Sequence, residues 1–175
     1  MLYRQYFDLP YINTQDNRMT PNTFEGYRLY RQTSQFSYMV GYIDTIKRRD
    51  SSTFISMSEA AGAPENRQRG LFLAGAVYAP SDNILAGAVN YIVPDVLNIV
   101  YAEMNSTWII NQNFQLKLSA QLTDQRSVGQ ALLGSFDTRV AGSRAALSYR
   151  NAIVTTAFST TATEAAIRSP AGDRS

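Results

Sequence analysis

Between Phe114 and Leu122 the chain alternates without a break. Phe114, Leu116, Leu118, Ala120 and Leu122 fall on one side, and Gln115, Lys117, Ser119 and Gln121 on the other. A period of two residues is the signature of a β-strand with one apolar and one polar face. The same reading fits residues 35–47, where Phe36, Tyr38, Val40 and Tyr42 oppose Ser37, Met39, Gly41 and Thr45. It also fits residues 139–150, where Ala141, Ala145, Leu147 and Tyr149 oppose Gly142, Arg144, Ser148 and Arg150. Further strands are predicted at residues 2–7, 22–33, 70–79, 83–93, 96–108 and 152–161. In 70–79 and 96–108 the alternation is blurred and leaves the facing open. Helical periodicity is weak throughout. The chain therefore reads as all-β, with about nine strands close to the roughly 9–11 residues that a tilted strand needs to cross a bilayer.

The connections follow a second pattern. Short links are predicted at residues 33–35, 80–82 and 150–151, and long ones at 8–21, 48–69 and 124–138. Short turns at one end and long loops at the other are the habit of an antiparallel outer-membrane barrel. Two links fit less well: Pro94-Asp95 makes a very tight turn at the long-loop end, and residues 105–113 make a longish one at the short-turn end.

Composition narrows the function classes. The 175 residues include 11 Tyr but no Cys and no His. Disulfides, thiolate metal sites and the usual general base are thereby absent. The formal net charge of +2 is too small for a general nucleic-acid binder. No run of about 18 apolar residues marks a membrane-spanning helix, which a β-barrel does not require. The first residues, Met1-Leu2-Tyr3-Arg4-Gln5, lack the layout of a signal peptide, so Met1 is read as an internal start.

Several ordered blocks resemble the OprD family of outer-membrane porins. They are Leu2 to Asn13 followed by Asp16 to Gly26, Phe54 to Ala61, Tyr91 to Asn98, Ala120 to Ser127 and Arg144 to Tyr149. The similarity runs from Leu2 to about Pro170. It implies a transmembrane antiparallel β-barrel of porin type, of which residues 1–170 supply about nine strands of an expected eighteen. Residues 171–175 form a tail unlike the family's continuation. The implied location is the bacterial outer membrane. The implied function is passive uptake of small anionic or zwitterionic solutes such as amino acids, short peptides and organic acids. Partners are then those solutes and outer-membrane lipid, with room for a homo-oligomer. The competing readings are a structural or adhesive barrel without an open pore, a soluble β-sandwich and an outer-membrane hydrolase.

Candidate residues follow from facing and from the family. A cation facing lipid at mid-membrane costs roughly 2–4 kcal/mol, so Lys117 and Arg144, central in their strands, are expected to face a watery bore. Arg28 is assigned there too, and Arg150 shares the face of Arg144 at a turn. The family's third external loop folds into the pore, and residues 8–21 match it in order. That match makes Arg18 the candidate constriction cation, Asp16 its counter-charge and Tyr11 an aromatic wall. Tyr27, Tyr38, Tyr42, Tyr91, Tyr101 and Trp108 are read as interface-girdle or lipid-facing residues. Ser56, Ser58 and Glu59 offer a nucleophile and an acid on paper, but without His no catalytic site is expected. No metal or cofactor is expected either.

Overall fold

The computed structural model describes residues 2–14 and 21–165. In chain order its elements are β1 (Leu2–Gln5), β2 (Asp8–Leu9), β3 (Ile12–Asn13), β4 (Thr23–Gln32), β5 (Phe36–Lys47), β6 (Phe54–Ser56), α1 (Met57–Ala60), β7 (Leu71–Ser81), β8 (Ile84–Val93), β9 (Leu97–Asn111), β10 (Phe114–Ser127), β11 (Phe136–Tyr149) and β12 (Ala152–Ala165). Nine strands lie side by side in the order β1-β4-β5-β7-β8-β9-β10-β11-β12. Every pairing between them is antiparallel. Strand β6 adds to the end of β5, and β2 and β3 form a separate hairpin. Among the described residues no helix is long and apolar enough to cross a membrane. The long elements are the strands.

Local chemistry closes the short turns. The Asn111 side chain accepts from the backbone N–H groups of Asn113 and Phe114 at 2.9 and 3.0 Å, an Asx turn that reverses the chain between β9 and β10. Thr33 Oγ1 accepts from Phe36 N at 3.1 Å between β4 and β5. Arg150 takes φ 48 in the two-residue link of β11 to β12, as tight hairpins require. Gly26 sits at an irregularity in the β4–β5 register, where a Cβ would overlap the Tyr42 carbonyl oxygen.

Two expectations are corrected. Residues 105–113 are not a loop, because β9 continues to Asn111. The Asn105-Ser106-Thr107 run looks like a turn, yet its residues alternate across the sheet: Asn105 pairs with Ser119, and Ser106 with Leu118. Ser106 Oγ accepts from Trp108 Nε1 at 3.1 Å, which satisfies its hydroxyl on the apolar side. The predicted 124–138 loop shrinks to residues 128–135, since β10 and β11 run further than their clean alternation.

The tight Pro94-Asp95 turn is real, and Asp95 organises the loops beside it. Its φ is 63, and its carboxylate accepts from Gln130 N at 3.3 Å and from the Arg69 guanidinium at 3.3 Å. The Asp95 carbonyl accepts from Leu132 N at 2.9 Å. Asp95→Ala removes the carboxylate tethers to Gln130 and Arg69, and strains a left-handed backbone that Asp tolerates better than Ala, at a cost of about 2 kcal/mol. Limited proteolysis of the folded protein should then nick residues 128–135 faster, while Asp95→Asn keeps most of the protection. Equal protection in the Ala variant would refute the assignment.

Burial is distributed unlike that of a water-soluble sandwich. One face of the sheet holds the packed cluster of Phe24, Ile43, Leu71, Leu73, Val89, Tyr91, Val93 and Ile99, with Phe7 and Ile12 laid on it. The other face exposes Tyr27, Leu29, Val40, Phe72, Tyr78, Ile92, Met104, Trp108, Leu118, Leu122, Val154 and Phe158, with Leu29 at 66% and Phe158 at 69%. An apolar surface spread over this many strands needs an apolar medium or a partner.

Candidate functional site

The site begins with the connection between β1 and β4. The β2–β3 hairpin pairs Asp8 with Asn13 and Leu9 with Ile12, leaving Pro10 and Tyr11 at its tip. Pro10 pre-sets the turn backbone and Tyr11 projects from it. Phe7 anchors the base edge-to-face on Phe24, with centroids 5.6 Å apart. The return to β4 is tied by Asn22, whose N–H donates to the Thr14 carbonyl at 2.9 Å and whose Oδ1 accepts from Arg49 N at 2.9 Å.

The hairpin reaches far across the sheet. The Tyr11 hydroxyl is 2.9 Å from Thr123 Oγ1 on β10, and its ring packs edge-on against Tyr91 of β8 and Tyr101 of β9, both at 6.1 Å. Four strands separate β4 from β10 in the sheet order, roughly 24 Å of arc at about 4.8 Å per step. A short hairpin spans that arc only across the concave side of a curved sheet. The face carrying the hairpin is the inner face.

Register then assigns every strand position. Through cross-strand pairs the inner face carries Arg28, Met39, Gly41, Gly75, Val89, Tyr101, Glu103, Asn105, Thr107, Gln115, Lys117, Ser119, Gln121, Thr123, Gly142 and Arg144. Towards the short-turn end it is polar, and towards the other end it supports the hairpin. A cavity of about 450 Å³ opens between the hairpin, α1 and β8–β9, with Tyr91, Leu97 and Ile99 below and Arg48, Arg49 and Asp50 at the rim.

The outer face has the opposite character. Phe36, Tyr38, Tyr78, Trp108, Phe114 and Tyr149 stand outward near the short turns, with Phe114 stacked on Tyr149 at 4.4 Å. Tyr27, Tyr42 and Phe72 form a second aromatic row nearer the long loops, with Tyr42 and Phe72 4.8 Å apart. From Phe72 to Tyr78 the strand rises roughly 20 Å at about 3.3 Å per residue. Two aromatic rows with an apolar stretch between them are the arrangement of the girdles that border the apolar band of an outer-membrane barrel. Beyond the upper row several outward charges are paired: Asp124 with Arg126 at 2.6 Å and Arg139 at 3.1 Å, and Arg4 with Glu25 at 3.1 Å.

The residues singled out by sequence are distributed as follows. Tyr11 is at the hairpin tip. Arg28 is on the inner face of β4, with its guanidinium 5.3 Å from the Phe7 ring centroid. Lys117 lies on the inner face between Thr107 and Ala146, and Arg144 between Ser119 and Ala157. Arg150 lies in the β11–β12 turn with its guanidinium 5.4 Å from the centroid of Tyr149, a girdle position. Asp16 and Arg18 lie outside the described residues. Tyr91 and Tyr101 are corrected: both face inward, beneath Tyr11. A two-residue turn at Pro94-Asp95 would set Val93 opposite Val96, whereas the observed three-residue link 94–96 sets Val93 opposite Leu97 and hence Val89 opposite Tyr101.

Thr123 and Glu103 were missed. Thr123 is buried at 7% exposure under Tyr11, a contact 112 residues apart that no local pattern announces. The hydroxyls of the 56–59 segment are spent on structure. Ser58, fully buried, donates to the Arg67 carbonyl at 2.7 Å and accepts from Arg69 N at 2.8 Å. Ser56 caps α1 by accepting from Glu59 N at 3.2 Å. Among the described residues no group of three or more acidic side chains is placed to hold a metal ion.

An antiparallel sheet with a greasy convex face between two aromatic rows, and a polar concave face holding an inserted hairpin, is the wall of a membrane β-barrel. The family model of the outer membrane porins of the OprD family matches residues 4–171, and the chain belongs to that family. Its place is the bacterial outer membrane. Solved structures agree on the fold. OccAB3 of Acinetobacter baumannii superposes with a TM-score of 0.79 at 16% identity, over 93% of this chain and 41% of that one. OccD3 (OpdP) of Pseudomonas aeruginosa gives 0.78 at 17% identity, over 93% and 40%. OpdK of Pseudomonas aeruginosa, determined with vanillate, gives 0.76 at 19% identity, over 90% and 42%. The chain thus spans about two fifths of the length of these structures. No curated protein matches the sequence significantly.

Proposed function

We propose that the closed barrel containing these strands is a passive, non-enzymatic channel for small carboxylate-bearing solutes, including amino acids, short peptides and organic acids. The observation that supports this reading is the hairpin whose Tyr11 hydroxyl lies 2.9 Å from Thr123 Oγ1, on the face that also carries Arg28, Lys117 and Arg144; in this reading the hairpin narrows the bore. In this reading Arg18, with Asp16 beside it in the chain, supplies the constriction charge from the same connection. Vanillate in OpdK is itself a small carboxylate, in keeping with that class.

Weak, repeated attraction suits transport. A unit ion pair at about 4 Å gains roughly 1 kcal/mol in water and about 4 near a protein surface. Several such sites in series admit an anion without trapping it. In planar bilayers the complete barrel should give discrete conductance steps and a reversal potential favouring anions. Lys117→Gln together with Arg144→Gln should move that potential toward non-selectivity. A folded barrel without steps would instead establish the plugged, structural alternative.

A further inference from the structure

The inner wall of β9–β11 carries one carboxylate that the attraction of anions does not use. Glu103 stands on the inner face of β9, its position fixed by the Tyr101 hydroxyl, which donates to Glu103 Oε2 at 2.8 Å. Arg144 stands on the inner face of β11. The two border one open cleft of about 380 Å³, whose floor is Asn105, Ser119, Gln121 and Ser159. Neither side chain has an oppositely charged partner among the described ion pairs. An unneutralised acid and an unneutralised base therefore share one groove.

Register sets their spacing. Glu103 is level with Gln121 and Gly142, while Arg144 is level with Ser119 and Asn105. They are two strands apart and offset by two residues, so their Cα atoms stand roughly 12 Å apart. An α-amino acid places its ammonium nitrogen and carboxylate carbon about 2.5 Å apart. With a hydrogen bond of about 3 Å at each end, it bridges roughly 9 Å between a donor and an acceptor. That span suits a Glu and an Arg that both stand off the concave wall, on either side of Ser119 and Gln121, with their charged ends apart.

We propose that Glu103 and Arg144 form a wall subsite for zwitterionic α-amino acids, with Glu103 holding the ammonium group and Arg144 the carboxylate. The floor hydroxyl and amide groups replace part of the solute's water. This subsite rests on the channel reading and narrows it. A plain carboxylate engages only Arg144 and is repelled by Glu103, so the wall prefers zwitterions to simple organic anions.

The test uses alanine and propionate, which share a carbon skeleton and differ by the ammonium group. Each is titrated against the ion current through the complete barrel in a planar bilayer. Alanine should retard the current at about tenfold lower concentration than propionate. Glu103→Gln should weaken alanine by about that factor while leaving propionate no weaker, and Glu103→Asp should recover part of the effect. Arg144→Gln should weaken both. Conductance in which the wild type fails to separate the two probes, or in which Glu103→Gln shifts both equally, overturns the subsite and leaves the channel reading standing. A barrel that gives no conductance overturns both.

Discussion

Leu118→Lys is expected to keep the chain from reaching a folded, membrane-inserted state, whereas Ser119→Lys, one position along the same strand, is expected to be tolerated. On β10, Phe114 lies at the girdle near the short turns and Asp124 at the charged rim near the long loops, so Leu118 falls mid-band. Leu118 is 41% exposed on the outer face, opposite Ala145 and Ser106. A lysine there meets hydrocarbon and costs about 2–4 kcal/mol, more than a single strand recovers by shifting. Ser119 faces inward between Asn105 and Arg144, where water solvates an ammonium group. The readout is the fraction of protein recovered from outer membranes in a folded, protease-resistant form. Equal recovery of the two variants, or the reverse order, would show that the facing is wrong.

That contrast reflects what was legible in the sequence. Strand β10 could be read outright because its apolar side meets lipid and its polar side meets water, so each position reports its own facing. On β4, Tyr27 and Leu29 suggest an inward Arg28, but Glu25 obscures the alternation because the register shifts between Glu25 and Gly26. Strands β7 and β9 were not, for a physical reason. Near the long-loop end their inner face is covered by the hairpin, so Leu71, Leu73 and Ile99 are apolar on the inside while Phe72 and Val100 are apolar on the outside. When both faces are greasy the period of two disappears, and Tyr101 reads as a girdle residue although it faces inward. The same hairpin hides Thr123 and Tyr101 as parts of a site, because their meaning comes from a segment distant in the chain.

Removing the Tyr11 side chain is expected to have the largest effect on the pore itself. Tyr11 is held by one hydroxyl contact to Thr123 and two edge-on ring contacts to Tyr91 and Tyr101. A net hydrogen bond contributes about 0.5–1.5 kcal/mol and an aromatic pair a similar amount, so Tyr11→Ala forfeits about 2–4 kcal/mol of loop attachment. Its single-channel conductance should rise, with larger open-state current noise, as the hairpin leaves the inner face for part of the time. Tyr11→Phe should act in the same direction but less, keeping the rings while stranding the buried Thr123 hydroxyl. Adding Thr123→Val to Tyr11→Phe removes that stranded group, so the double variant should be quieter than Tyr11→Phe alone, a non-additive outcome expected of touching residues. If Tyr11→Ala leaves conductance and noise at wild-type values, the hairpin is held in the bore by other contacts and Tyr11 is not its latch.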